Sequence, residues 1–166
     1  MTLYRWLLQL WRIVPLPASL RAHILWIRNT HYLIAVTGLV WDDAGRLLLA
    51  RHTYLPHPGW DLPGGNLQGL ESLEAGLARE LEEELGFAVE LGPLVCTLVA
   101  PSPRRAVFGF NCRAREGSFR PNAEIAEIAY FSLQDALRLL RPESQAMVMR
   151  AARRREVQPS DEPGGG

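Results

Sequence analysis

Residues 64–87, GGNLQGLESLEAGLARELEEELGF, constrain this chain more than any other stretch. Leu73, Leu77, Ala78, Leu81 and Leu85 recur at helical spacing, which predicts a helix over 72–85. Gly86 follows as its C-terminal cap. Each helical residue turns about 100°, so Glu80 and Glu84 share one face with Glu83 beside them, while Leu77 and Leu81 occupy another. A helix with one apolar face needs an element to bury it. Three carboxylates this close repel one another by a few tenths of a kcal/mol per pair, roughly, even when exposed. A divalent cation removes that penalty, and an all-oxygen donor set suits Mg²⁺ or Mn²⁺. On the carboxylates alone, a solvated acidic face accounts for the run as well, and the glycine pair alone reads as a turn.

The rest of the chain reads as mixed strand and helix. Residues 2–14 are apolar almost all round and are expected to be helical until Pro15 and Pro17; Ser19 then caps a second helix near 20–28. Residues 32–41 and 46–51 are strand-like runs joined by Asp42-Asp43-Ala44-Gly45, which predicts a hairpin. Pro56, Pro58 and Gly59 mark a loop, and Gly64-Gly65 a second. Further strands are expected at 89–100, 107–113 and 125–131, with helices at 133–140 and 143–155. Without regular βαβ alternation, the expected class is α+β. The expected organisation is an N-terminal helical segment at 1–29, a catalytic domain at 30–157 and a disordered tail at 158–166.

The combination of residues is more specific than its parts. Five residues separate Gly65 from Glu71, seven separate Glu71 from Arg79, and Arg79-Glu80-Leu81 runs on to Glu83-Glu84, Gly86 and Phe87. This resembles the Nudix box, GX5EX7REUXEEXGU with U aliphatic; only Phe87 departs, and it keeps an apolar anchor. Inside the loop, Gln68 and Leu70 stand where many members carry Glu and Gly. The lead-in Trp60-Asp61-Leu62-Pro63 and the stretch Glu124–Leu133 extend the likeness more loosely.

The resemblance implies an α/β/α sandwich around a mixed sheet, with the N-terminal helices as an extension. It also implies Mg²⁺-dependent hydrolysis of a nucleoside diphosphate linked to another group: a nucleotide sugar, ADP-ribose, a dinucleoside polyphosphate or a nucleoside triphosphate. By the same likeness Glu80, Glu83 and Glu84 are metal ligands, one of them serving as base. Arg79 and Glu71 orient helix and loop, and Gly65 turns its carbonyl to the metal. Glu124 and Glu127 are candidates for a further carboxylate ligand, with surface charge the even alternative. Two rival readings remain: a nucleotide-binding domain without turnover, and a membrane-surface or partner-binding module built on the N-terminal helices.

Other residues are candidates on weaker grounds. His52 and Tyr54 close the strand before the glycine loop and are candidate substrate contacts. Arg104 and Arg105 are expected on a Pro-bounded turn and are candidate phosphate grips, with a solvated turn the alternative. Trp60 is expected in the core. All 18 basic residues are Arg and equal the 18 acids, so charge gives no case for nucleic acid. Eight acids and one Arg fall in 61–100, whereas residues 1–41 carry four Arg and no acid. In residues 3–14 the polar positions Arg5, Gln9 and Arg12 form one narrow stripe, which predicts burial on more than one side. A homodimer is favoured over membrane attachment, with packing on the chain's own domain the alternative. No run approaches about 18 apolar residues, so no membrane span is expected. No clear cleavage site follows Leu10, so a cytoplasmic protein is expected. Cys96 and Cys112 flank the turn near 101–106; reduced thiols are expected, with a cross-strand disulfide the alternative.

Overall fold

The computed structural model describes residues 17–157 except Glu116. The expected helix over 2–14 and the tail 158–166 lie outside the described residues. The chain divides into two compact units, Met1–His31 and Tyr32–Gly166. In the first, α1 (Ala18–Arg28) carries Trp26, which stacks on His23 and lies tilted against His31. No described helix is long and apolar enough to cross a membrane.

The second unit is built on seven strands. They are β1 (Leu33–Trp41), β2 (Leu47–His52), β3 (Trp60–Asp61), β4 (Gly64–Asn66), β5 (Val89–Pro101), β6 (Arg104–Ala114) and β7 (Ile125–Phe131). Between them run α2 (Leu73–Leu85), α3 (Leu133–Leu139) and α4 (Pro142–Val157). β1 pairs with β6 in parallel, and every other pairing is antiparallel. The mixed sheet expected from the sequence is therefore present, with one correction.

The correction concerns the hairpin. β1 and β2 pair only beside the turn, at Trp41 and Leu47, and then diverge. Into the wedge between them runs the 60–66 segment, where the sequence reading placed only a loop. β3 pairs with Ala50 and Arg51 of β2, and β4 pairs with Ala35–Thr37 of β1. Pro63 between them accepts from Gly38 N and Thr37 Oγ1. Backbone groups that two diverging strands would leave unpaired are thus satisfied by the segment carrying the glycines.

Each sheet face is covered, so consecutive residues on the central strands are both buried. Leu48, Val36 and Val40 face α2, where Leu77, Leu81 and Leu85 complete one core. Leu39, Leu47 and Leu49 face α3 and α4, with Ala136, Met147 and Val148 in the other. Trp60 packs edge-on against Phe131 at 5.0 Å and belongs to that second core, as expected. The absent side chain of Gly38 lets α2 approach, since a Cβ there would lie 3.2 Å from both Leu81 methyls. Ser72 caps α2 by accepting from Ala75 N, and Gly86 ends it in a left-handed conformation.

The two cysteines occupy different cores. Cys96 lies opposite Gly109 on the α4 side, and Cys112 lies opposite Leu91 on the α2 side. The sheet separates them, so the disulfide alternative fails on geometry. Both are free and buried.

Candidate active site

The acidic helix and the glycine segment meet at the edge of the wedge. Gly64 has φ 137°, and a Cβ there would lie 2.2 Å from Val36 O, so no side chain fits. Its N–H donates to Glu84 Oε2 at 2.7 Å. A Cβ on Gly65 would fall 2.4 Å from the Glu80 carboxyl carbon. The two glycines therefore put bare backbone directly against two carboxylates of α2. Gly76 does the same one turn earlier, admitting Leu67 and Glu71 against the helix.

Arg79 binds the cluster together. Its Nε and one terminal nitrogen donate to both oxygens of Glu71, at 3.2 and 2.7 Å. The other terminal nitrogen donates to Glu80 at 2.9 Å and Glu83 at 3.2 Å. A further bond reaches Asn66 O at 3.2 Å. Glu71 in turn accepts from Gln68 N at 2.6 Å, which closes the loop. The bonds from Arg79 hold the Glu71 carboxyl below its ordinary range, and Glu71 in return raises the guanidinium. Of the two loop departures, Gln68 contributes backbone to this closure, and Leu70 is fully exposed.

Glu84 has a different environment. Only 3% exposed, it is pushed up to about 8 by burial; the Gly64 N–H opposes this, and the charges of Glu80 and Glu124 add to it. Burial likewise raises Glu80, against the pull of Arg79. His52 lies 3.7 Å from Glu84 Oε1 and is itself buried. Among the described residues neither of its ring nitrogens has a hydrogen-bond partner, and burial lowers its pKa. The imidazole is thus neutral at pH 7 and packs behind Glu84; the candidate substrate contact is a buried neighbour of a carboxylate.

The remaining candidates separate. Glu124 joins the cluster because Asn122 ties its loop to α2. Asn122 Nδ2 donates to the carbonyls of Glu83 and Glu84, and its Oδ1 accepts from Glu124 N and Ile125 N. Glu127 pairs with Arg51 at 3.0 Å instead. Tyr54 is 65% exposed and lines a cleft of about 150 Å³ on the α4 side of the sheet, as does Arg105. Arg104 and Arg105 belong to β6 and not to the turn before it, because both pair with β5; Arg104 is exposed and, by strand alternation, faces away from Arg105.

The cleft and the carboxylates share a wall. Gly64 and Gly65 line the cleft and also touch Glu84 and Glu80. Three residues beyond the sequence reading brace that wall. Asp61 is 4% exposed and accepts from Leu62 N at 2.9 Å, Ser144 Oγ at 2.5 Å and Arg141 Nε at 2.7 Å. This ties the start of α4 to the glycine segment. The lone acid in an otherwise apolar lead-in was the available signal; its partners, about 80 residues away, had none.

Whether the site suits a divalent cation turns on its donors. Glu80, Glu83, Glu84 and the backbone at Gly65 offer only hard oxygen, which fits Mg²⁺ or Mn²⁺. The bare backbone pressed against Glu80 is the cradle such a set needs. Among the described residues, no three acidic, His or Cys side chains already converge on one point; Arg79 pairs with Glu71, Glu80 and Glu83 and offsets only part of their charge.

Comparison with known proteins agrees with this architecture. A family model for the NUDIX domain matches residues 31–152. A MutT-like protein of Streptomyces ambofaciens is 34% identical over 101 residues, covering 60% of this chain and 63% of that protein. The NAD-capped RNA hydrolase NudC of Mycobacterium tuberculosis is 37% identical over 101 residues, covering 59% of this chain but 32% of the relative. The match thus spans less than two thirds of either relative. Among solved structures, the MutT protein from Methanosarcina mazei superposes with a TM-score of 0.65 at 25% identity, covering 77% of this chain and 98% of that one. With the box, the mixed sheet between helices and a family match over most of its length, the chain belongs to the Nudix family.

Proposed function

We propose that this chain hydrolyses the pyrophosphate linkage of a nucleoside diphosphate joined to another moiety, with Mg²⁺ or Mn²⁺ held by Glu80, Glu83, Glu84 and the Gly65 carbonyl. The observation that carries the reading is the shared wall: the segment lining the cleft also contacts the two most buried carboxylates of the helix. A pyrophosphate in the cleft therefore lies within reach of the acidic cluster. When bound, the cation polarises phosphoryl oxygens and lowers the pKa of water. The chain's own residues supply the rest. Gly64 N–H fixes one oxygen of Glu84 and leaves the other facing His52. Arg79, locked by Glu71, sets the positions of Glu80 and Glu83. A carboxylate of the cluster takes the proton of the attacking water, and Glu124 is the outer acidic group. The NudC relative, named for an NAD-capped substrate, supports a dinucleotide-like pyrophosphate among the possible substrates, beside nucleotide sugars, ADP-ribose and nucleoside triphosphates. Two buried free thiols support action in a reducing, cytoplasmic setting.

A panel of these nucleotides, incubated with Mg²⁺ or Mn²⁺ and read by product mass, tests the proposal. Metal-dependent release of a nucleoside monophosphate supports it. Tight nucleotide binding without turnover on any member would replace it with the binding-only reading.

A further inference from the structure

Among the described residues, one guanidinium lining the cleft has no ion-pair partner. Arg105 lines the cleft from β6, and its Nε is buried with no hydrogen-bond partner among the described residues. Among the described residues it forms no ion pair, whereas Arg141, the other guanidinium lining the cleft, is held by Asp61. A buried donor without an acceptor bears its desolvation cost uncompensated, and a ligand that brings the acceptor recovers it.

Strand register places Arg105 relative to the chemistry. Gly65 pairs with Val36, which pairs with Phe108; Arg105 pairs with Leu33. Arg105 is therefore three residues along the sheet from Gly65, about 10 Å, and two strand spacings across, about 10 Å more. It faces the part of a substrate remote from a pyrophosphate at Gly65 and Glu80, not the scissile bond. The cleft wall combines apolar side chains, Ala35, Leu98, Val107 and Met147, with the polar groups of Tyr54 and Glu143. Apolar side chains beside one guanidinium that no carboxylate holds suit a heteroaromatic base with acceptors on one edge.

We propose that Arg105 is a specificity-determining residue that selects a 6-oxopurine, guanine or hypoxanthine, over adenine. The proposal rests on reading the cleft as a nucleotide site. A 6-oxopurine offers the guanidinium two acceptors on one edge, O6 and N7. Adenine offers N7 but turns its N6 amino group, a donor, toward a side chain that only donates. Glu143, also lining the cleft, accepts from the N1–H of a 6-oxopurine or from the N6 amino group of adenine, so the Arg105 variant, and not the wild-type comparison alone, assigns the preference.

Calorimetric titration of the full chain in EDTA with GMP, IMP and AMP tests this without turnover. IMP lacks the 2-amino group of GMP, so the IMP–AMP pair confines the difference to N1 and the 6-position, and its loss in Arg105→Met assigns it to the edge facing Arg105. GMP and IMP are expected to bind at least about fivefold more tightly than AMP. Arg105→Met, which keeps the apolar stem, is expected to bring the three to one affinity at an unchanged melting temperature. AMP binding as tightly as IMP overturns the proposal, as does a preference that survives in Arg105→Met, or no binding of any of the three. Adenosine 3′,5′-bisphosphate is the distal-phosphate arm: an Arg105-dependent gain over AMP would give the residue to a phosphate and overturn the base assignment. Should Arg105→Met not fold, Arg105→Leu takes its place with the same expected loss of preference, and AMP binding as tightly as IMP to the wild type still overturns the proposal. Hydrolysis of the nucleotide panel without base preference sinks this inference and leaves the hydrolase reading standing; IMP preference without hydrolysis does the reverse.

Discussion

Replacing Glu84 by Gln should stabilise the metal-free protein at alkaline pH while abolishing its activity. In the metal-free fold, burial raises Glu84 from 4.5 to about 8. A group whose folded pKa lies above its unfolded value adds stability that is complete below the unfolded pKa and is lost as pH rises through the folded one. Stability contributed at Glu84 therefore falls between about pH 4.5 and 8. Each pKa unit is worth about 1.4 kcal/mol, which puts the cost of ionising Glu84 in the fold on the order of 4–5 kcal/mol. At 3% exposure, little of this is screened by solvent. Gln keeps the shape and an oxygen for the Gly64 N–H, and carries no charge at any pH. Urea unfolding of wild type and Glu84→Gln in EDTA at pH 5, 7 and 9 measures the effect. The two should be similar at pH 5, and the variant should be more stable by several kcal/mol at pH 9. Titrating groups not coupled to Glu84 are common to both proteins and drop out of the difference. A difference that does not change with pH would refute the claim that Glu84 is held at an electrostatic cost.

Gly65→Ala forces a methyl within 2.4 Å of the Glu80 carboxyl, so turnover should fall at least about tenfold while the melting temperature shifts only a few degrees; unchanged turnover would mean the glycine–carboxylate contact is not used. Burial pushes Cys96 up to about 11 and Cys112 up to about 12, so alkylation of the native protein at pH 8 should be at least about 100-fold slower than after unfolding. Fast native labelling at either position would contradict the packing described. Sedimentation of the full chain beside a truncation starting near Asn29 tests the proposed dimer: the full chain should be dimeric and the truncation monomeric, and a monomeric full chain that also ignores liposomes would leave residues 3–14 as packing on their own domain.

The parts of the fold written in short-range pattern were legible. The helical spacing of Leu73, Leu77, Leu81 and Leu85 located α2 and its buried face, and Ser72 and Gly86 bounded it. The strand at 60–66 was invisible, because two- and three-residue strands carry no periodicity and Gly-Gly reads as a turn. Its pairing is imposed by the divergence of β1 and β2, a tertiary fact. The carboxylates of the box were legible as a constellation, yet their unequal environments were not. Glu71 is held ionised by Arg79, whereas Glu84 is raised by burial, and burial depends on which face the sheet covers. Asp61, Ser144 and Asn122 went unread because each acts on residues 38 to 83 positions away. Even-handed treatment of Arg104 and Arg105 gave way to strand alternation, which sends only Arg105 into the cleft.

The central claim is that the acidic face of α2 is the centre of pyrophosphate hydrolysis, and Mg²⁺-dependent turnover by wild type, Glu80→Gln and Glu84→Gln on one hydrolysed nucleotide tests it most directly. The account predicts that each variant stays folded and loses at least about 10²-fold in kcat, as expected for losing a metal ligand or a general base. Full activity in both variants would contradict it and move the chemistry away from this helix.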